Sequence, residues 1–348
     1  MRRLASIAAL SVFTAVPAQR ALLDTLPADV STAGLGDAFE GTYRELPLRG
    51  TGDLTAIGVF ADTAWVARGG HWYRHDLSSW ELLTEVPEAV PVVDFAADAR
   101  FLYGLGRDGR ITLIDPRAGR PVREHDRIDY GENPPEFSGI TTAGDGFVLL
   151  DSKRSAWRVD GKLQRGERIV ELGARAAATA WLAHRDRQLV TGGHRSVQEM
   201  DAATGATERL LTLPLQRQQA GDVAGSELLI GGHANVGDTV LRAFTPWPER
   251  WRTTLDVRQS RRGPTWSVGP REFRDAAALQ AALQDILKRT PESRTTAGIV
   301  VPMPLILRVG EGTTVADLAR TWDLATAAGW QDVRVAGLAN WVAGQRSR

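Results

Sequence analysis

Five segments of the chain end on the same kind of turn, and their spacing constrains the fold more than any other feature. They read "WYRHDLSSWELL", "ITLIDPRAGRPV", "AWRVDGKLQRGE", "VQEMDAATGATERL" and "VLRAFTPWPERW". In the first four an Asp follows an alternating strand: Asp76, Asp115, Asp160 and Asp201. An Asp there caps a tight turn through its own carboxylate, and Gly119 or Gly205 can supply the positive φ. The fifth copy has Thr245-Pro246 in its place. Two more strand-like runs precede each copy, such as "LTAIGVF" and "TAWVARG" before the first. Each unit is therefore four short strands over roughly 40 residues, the period of a propeller blade. A mainly β chain follows, dominated by a β-propeller of five blades, with a sixth left open. Small residues in the first strands (Ala56, Gly58, Ala96, Gly139, Ala178, Ala224) suit the crowded place nearest the axis. An open row of such sheets would expose apolar faces and edges, so the ring is expected to close. "TYRELPL", Thr42 to Leu48, is the candidate closing strand.

These repeats resemble the WD-repeat, YVTN and quinoprotein-like propellers in general, without the signature of any one of them. The resemblance implies a fold and no activity.

After "DVRQSRRGP", Asp256 to Pro264, the apolar period changes from two to 3.6. Asp275 is placed to cap a helix whose stripe is Leu279, Leu283, Ile286 and Leu287. "AGIVVPMPLILRV" reads as extended. Thr314 and Asp317 form a start signal for a second helix, with Val315, Leu318, Ala319, Trp322 and Ala325 on one face. Gly329 ends it, and "DVRVAGL" is a last strand. With "TWSV" in front, a small α+β domain is predicted in the order strand, helix, strand, helix, strand. Its two striped helices should cover one face of a sheet.

"AALQAALQDILKRTPE", "LILRVGEGTTVADLARTWDLATAAG" and "WQDVRVAGL" resemble the periplasmic domain of the ExbD/TolR family, partners of proton-driven envelope motors. The resemblance spans Thr265 to Leu338 and rests on apolar spacing plus Ala328-Gly329. It departs at Arg308 to Thr313, where the family has an Asp and an aromatic-Gly step, and at Pro302 and Pro304 within the strand. The family's transmembrane helix with its proton-carrying Asp has no counterpart, so the resemblance implies an interaction fold and not motor activity.

Arg2 and Arg3 precede an apolar run from Leu4 to Val16, and Val16-Pro17-Ala18 offers small residues for cleavage. That reads as a secretory signal peptide, too short to span a bilayer comfortably, and places the mature chain in the periplasm or outside the cell. No other long apolar run is present, so no membrane span is expected in the mature chain. Cysteine is absent, which removes disulfides and thiolate metal sites. The formal net charge is zero, and apart from Lys153, Lys162 and Lys288 the basic residues are arginines scattered among acids. No nucleic-acid partner is expected from such a distribution.

Three Gly-Gly-His tripeptides end at His71, His194 and His233, each between the second and third strands of a unit. Equivalent turns on different blades lie too far apart to share an ion, and hairpins needing positive φ account for the glycines. No metal and no cofactor are expected. The polar loop "DYGENPPEF", Asp129 to Phe137, and "PLQRQQAGD", Pro214 to Asp222, should share one face. Candidate binding residues are Tyr130, Glu132, Phe137, Arg217, His194 and His233. Asp53, Asp94 and Asp222 lie at or in innermost strands, where five-bladed glycosidases carry their acids. However, Asp53 and Asp222 each follow a Gly and serve equally well as turn residues.

The domain expectation is a signal peptide over 1–18, an N-terminal segment with the closing strand over 19–50 and a propeller over 51–258. A linker over 259–264, the α+β domain over 265–341 and a tail over 342–348 complete it. The functional expectation is a non-catalytic periplasmic scaffold or adaptor with a protein partner in an envelope complex. The alternative is a propeller hydrolase using Asp53, Asp94 and Asp222. Oligomeric state is left open.

Overall fold

The computed structural model describes residues 19–342, apart from 33–34, 36–38, 126–127, 132–134, 154, 172–179, 186–187, 203–205, 236, 247–252, 262, 290–293, 297–298, 302 and 339–340. The proposed signal peptide, Glu132, Ala178, Gly205 and Pro302 fall outside these residues.

A first strand, β1 (Gly41–Leu46), precedes the repeats. Blade one is β2 (Leu54–Phe60), β3 (Thr63–Arg68), β4 (His71–Asp76) and β5 (Leu82–Val86). Blade two is β6 (Asp94–Ala97), β7 (Leu102–Leu105), β8 (Ile111–Asp115) and β9 (Arg120–Glu124). Blade three is β10 (Phe137–Ala143), β11 (Gly146–Asp151), β12 (Ser155–Val159) and β13 (Gly166–Glu171). Blade four is β14 (Trp181–Arg185), β15 (Gln188–Gly193), β16 (Ser196–Asp201) and β17 (Thr207–Thr212). Blade five takes β18 (Arg217–Ala224), β19 (Glu227–Asn235) and β20 (Asp238–Pro246), and its outer strand is β1. All five sheets are four-stranded meanders, so the architecture is a five-bladed β-propeller.

The predicted turn chemistry is present. One Asp76 carboxylate oxygen accepts the N–H groups of Ser78 and Ser79, both at 2.9 Å. Asp115 accepts those of Arg117 and Ala118, and Asp160 that of Gln164. These bonds hold the Asp76 carboxyl down to about 2, the Ser78 hydroxyl being its strongest donor. The ring is fastened where β1 lies on β20. Arg242 reaches across to Glu45 at 2.7 Å, donates to the Pro214 carbonyl at 2.7 Å, and stacks over Tyr43.

The second compact unit combines residues 1–41 with residues 247–348. Its strands and helices are β21 (Thr253–Ser260), β22 (Gly263–Val268), β23 (Arg271–Phe273), α1 (Ala276–Arg289), β24 (Arg294–Thr296), β25 (Ile299–Val301), β26 (Leu305–Val309), α2 (Val315–Ala327) and β27 (Val333–Val335). The sheet order is β23-β22-β21-β26-β27, with β26 parallel to both of its neighbours. Both helices bury their stripes in one core with Leu255, Val257, Leu305 and Leu307. Asp275 caps α1 through the Ala278 N–H, and Thr314 with Asp317 forms a reciprocal capping box on α2. Trp266 donates its indole N–H to the Thr321 hydroxyl at 2.8 Å, which satisfies a buried polar atom within this core.

Two boundaries differ from the sequence expectation. Residues 253–258 belong to this sheet and not to the propeller, and 259–264 is no linker. Leu255 and Val257 alternate inward and are completely buried, while Gly263 at φ +111° closes the hairpin from β21 to β22. The polar residues between them are the outward face and turn of that hairpin. The N-terminal segment is also not free. Leu23 and Leu35 sit in the same core, and the Thr32 N–H donates to the Thr313 carbonyl at 2.9 Å. The propeller sequence is therefore an insertion within the α/β unit's sequence.

Candidate functional site

The mouth of the propeller axis is a cavity of about 480 Å³ to which every blade contributes. Blade one supplies Asp53, Leu54 and Thr55, blade two Val93 and Arg107, and blade three Glu136 to Ser138 with Ser152. Blade four supplies Ala180 and His194, and blade five Arg217, Gln218 and Gln219. These are the starts of innermost strands and the turns between second and third strands, so they gather at one end of the ring.

Three of the innermost strands share one irregularity here. The pairing of β2 with β3 skips Thr55, that of β10 with β11 skips Ser138, and that of β18 with β19 skips Gln219. Each is the extra residue of a β-bulge near the start of its strand, second in β2 and β10 and third in β18. A bulge re-aims one side chain without moving its neighbours. The neighbours Leu54, Phe137 and Gln218 are buried, while the three polar bulged residues of the same lining are half-buried or exposed. Gln218 is locked below by accepting the Trp181 indole N–H at 3.0 Å and donating to the Ser196 carbonyl at 2.9 Å.

The charges at the mouth are unevenly satisfied. Arg107 pairs with Glu136 at 3.7 Å, both mostly in solvent, a contact worth about 0–1 kcal/mol. Among the described residues neither Asp53 nor Arg217 has an ion-pair partner, and they do not pair with each other. The Gln219 side-chain carbonyl is buried without a donor. His194 takes a left-handed backbone, φ +46°, uncommon for a residue with a Cβ and often found where a site is held under strain.

Below the mouth the axis is stitched by carboxylates. Asp94 is fully buried and accepts the backbone N–H groups of Phe95 at 3.0 Å, Ile140 at 2.9 Å and Leu182 at 3.1 Å. One side chain of blade two thereby ties blades three and four. Asp222 accepts from Val59 of blade one at 2.6 Å and from Val223 at 2.7 Å. Burial raises the Asp94 carboxyl well above the ordinary carboxylate range, the nearby Asp222 charge adds to the rise, and the three N–H bonds oppose it. Burial likewise pushes Asp222 up to about 7 against its two N–H donors.

The sequence candidates therefore separate. Arg217, His194 and Asp53 come together at the mouth. Phe137 belongs to the mouth lining with its side chain buried, whereas Tyr130 lies outside that lining. Tyr130 is buried with its hydroxyl on the Gly109 carbonyl at 3.1 Å, and its ring lies 4.7 Å from that of Phe137 and 5.9 Å from that of Trp157. Gly166 leaves the room for that ring, since a Cβ there would lie 2.4 Å from it. His233 lies in β19 opposite Arg217, outside the mouth lining, with Nδ1 buried and unpaired among the described residues. The three Gly-Gly-His copies are also not equivalent. Gly69 and Gly70 make the turn of blade one, whereas His194 itself takes the positive φ in blade four. In blade five the tripeptide lies within β19, and Gly231 is small because a Cβ would meet Leu54 at 1.9 Å. His71 faces Glu85 at 3.0 Å.

Asp53, Asp94 and Asp222 do not form an acid pair in an open pocket. Asp222 holds the N–H of Val59, six residues along from Asp53, on the order of 15–20 Å down the strand. Glycosidase carboxyls lie about 5–10 Å apart. Asp94 lies sealed between those levels. The residues that sequence reasoning missed are Thr55, Ser138 and Gln219. Their signal was a polar residue followed by Ala or Gly near the start of the first strand: Thr55-Ala56, Ser138-Gly139 and Gln219-Ala220.

The fold and site define a five-bladed β-propeller with a polar, charged mouth on its axis. No family model and no curated protein sequence matches the chain. Among solved structures, the glutaminyl cyclase of Myxococcus xanthus is similar at a TM-score of 0.45 and 13% identity, over 57% of this chain and 93% of that one. A likeness at that level says nothing about activity here.

Proposed function

We propose that the protein is a non-catalytic recognition protein of the cell envelope that takes its partner at the axial mouth of the propeller. One observation carries this reading. All five blades build the mouth and leave Asp53, Arg217 and the Gln219 carbonyl uncompensated there, while the acids nearest the axis are spent on backbone N–H groups. A mouth lined by uncompensated charges, with the raised carboxyls of Asp94 and Asp222 outside its lining, suits recognition. The N-terminal apolar run supports export to the periplasm. The sequence resemblance of Thr265 to Leu338 to ExbD/TolR periplasmic domains motivates a second docking role at an envelope complex.

The test is a crosslinked pull-down from cell envelopes with the full chain, its Arg217→Gln form and its Asp53→Asn form. Loss of a partner in the two variants is expected. A partner kept by both moves recognition away from the mouth. Turnover of a sugar, ester or phosphate substrate that is abolished by one carboxylate change refutes the non-catalytic reading.

A further inference from the structure

We infer that the axial mouth binds a small zwitterion, a free α-amino acid or a short peptide with both termini charged. This rests on the reading of the mouth as a recognition site and adds the chemistry of its ligand. Asp53 and Arg217 come from blades one and five and line one cavity without neutralising each other or finding another ion-pair partner among the described residues. Charge-assisted hydrogen bonds are the strong ones, so a ligand gains most by supplying both missing partners at once. An ammonium group finds the exposed Asp53 carboxylate. A carboxylate finds the Arg217 guanidinium, whose planar fork matches it bidentately.

The remaining lining fits the same class. Arg107 and Glu136 cancel each other, so the mouth has no net charge to favour a simple anion or cation. The bulged Thr55 and Ser138 bring hydroxyls that can serve amide or side-chain polar groups. A volume of about 480 Å³ lies in the range of small-molecule sites and exceeds what a single ion needs.

The experiment is calorimetric titration of the full-length chain with free amino acids and with di- and tripeptides, each also N-acetylated or C-amidated. Unblocked ligands should bind, and each blocked form should bind about 10- to 100-fold more weakly. The two ligand sources separate by length: amino acids saturating the site alone, or peptides binding tighter with each residue. Asp53→Asn should lose the preference against N-acetylation and keep the preference against amidation. Arg217→Gln should do the reverse. Equal binding of blocked and unblocked forms overturns the inference, as does no binding by any of them. If the envelope partner is still lost in Arg217→Gln while no zwitterion binds, the mouth remains a recognition site and only its ligand class is wrong.

Discussion

Asp222 makes the propeller's stability depend on pH in a direction opposite to that of a salt-bridged carboxylate. Its carboxyl titrates near 3.8 when unconstrained and is raised to about 7 by burial in the folded chain. A group raised on folding contributes its stability fully below the unfolded value, and that contribution is lost as pH climbs through the folded value. The window therefore runs from about pH 4 to about pH 7. A rise of this size corresponds to an upper figure of about 4 kcal/mol. The side chain is half-buried, so solvent screening reduces this to about 2 kcal/mol. Asp222→Asn keeps an oxygen for one of the Val59 and Val223 N–H groups and removes the titration. Urea unfolding at about pH 5 and about pH 8 should be read on propeller segments by hydrogen exchange. The wild type should lose about 1–1.5 kcal/mol more than the variant between the two conditions, since about two-thirds of the window lies above pH 5. Subtracting the variant cancels the titrating groups that do not interact with Asp222 and leaves its coupling to Asp94 in the difference. Equal losses in the two proteins, or a wild type that gains relative to the variant, would show that the two N–H donors outweigh burial and would refute the reasoning.

Three further outcomes follow from the packing. Asp94→Ala strands three buried N–H groups and should cost about 3–6 kcal/mol by chemical denaturation, whereas Asp94→Asn should cost less than half of that. Gly231→Ala drives a Cβ to 1.9 Å from Leu54 and should destabilise by about 1–3 kcal/mol, seen as a lower urea midpoint. Arg242→Ala removes the clasp on Glu45 and the Pro214 carbonyl and should cost about 2–3 kcal/mol, with β1 becoming the first site of limited proteolysis.

The parts of the fold that were legible are those made by local chemistry. Asp76, Asp115 and Asp160 announce their turns because the capping oxygen and the N–H groups it satisfies lie two to four residues apart. The stripes of α1 and α2 read directly for the same reason. What misled was long-range pairing. Residues 253–258 read as propeller and 259–264 as linker because the turn from β21 to β22 is short and polar and the other partner of β21, β26, lies about fifty residues onward. Tyr130 sat in a polar loop and read as exposed, but a cavity edged by Gly109 and Gly166 takes its ring. At the site, the loop position of Arg217 was readable, while the convergence of Asp53, His194 and Arg217 required the ring to be closed.

Ring closure also explains why the site lies where it does. Five blades leave a narrow axis, and small residues such as Ala56, Ala96 and Gly139 let the first strands approach closely. Backbone N–H groups facing that axis need acceptors, and the neighbouring strand of the same blade does not supply all of them. Asp94 and Asp222 are the acceptors, and their use in that role removes them from chemistry. Where the innermost strands begin, the bulged residues Thr55, Ser138 and Gln219 lie in the cavity lining. The same local distortion recurs in blades one, three and five. Similar irregularities fall between the third and fourth strands of blades one to four, so what marks the mouth is the polar identity of the three bulged residues in its lining and not the bulge itself.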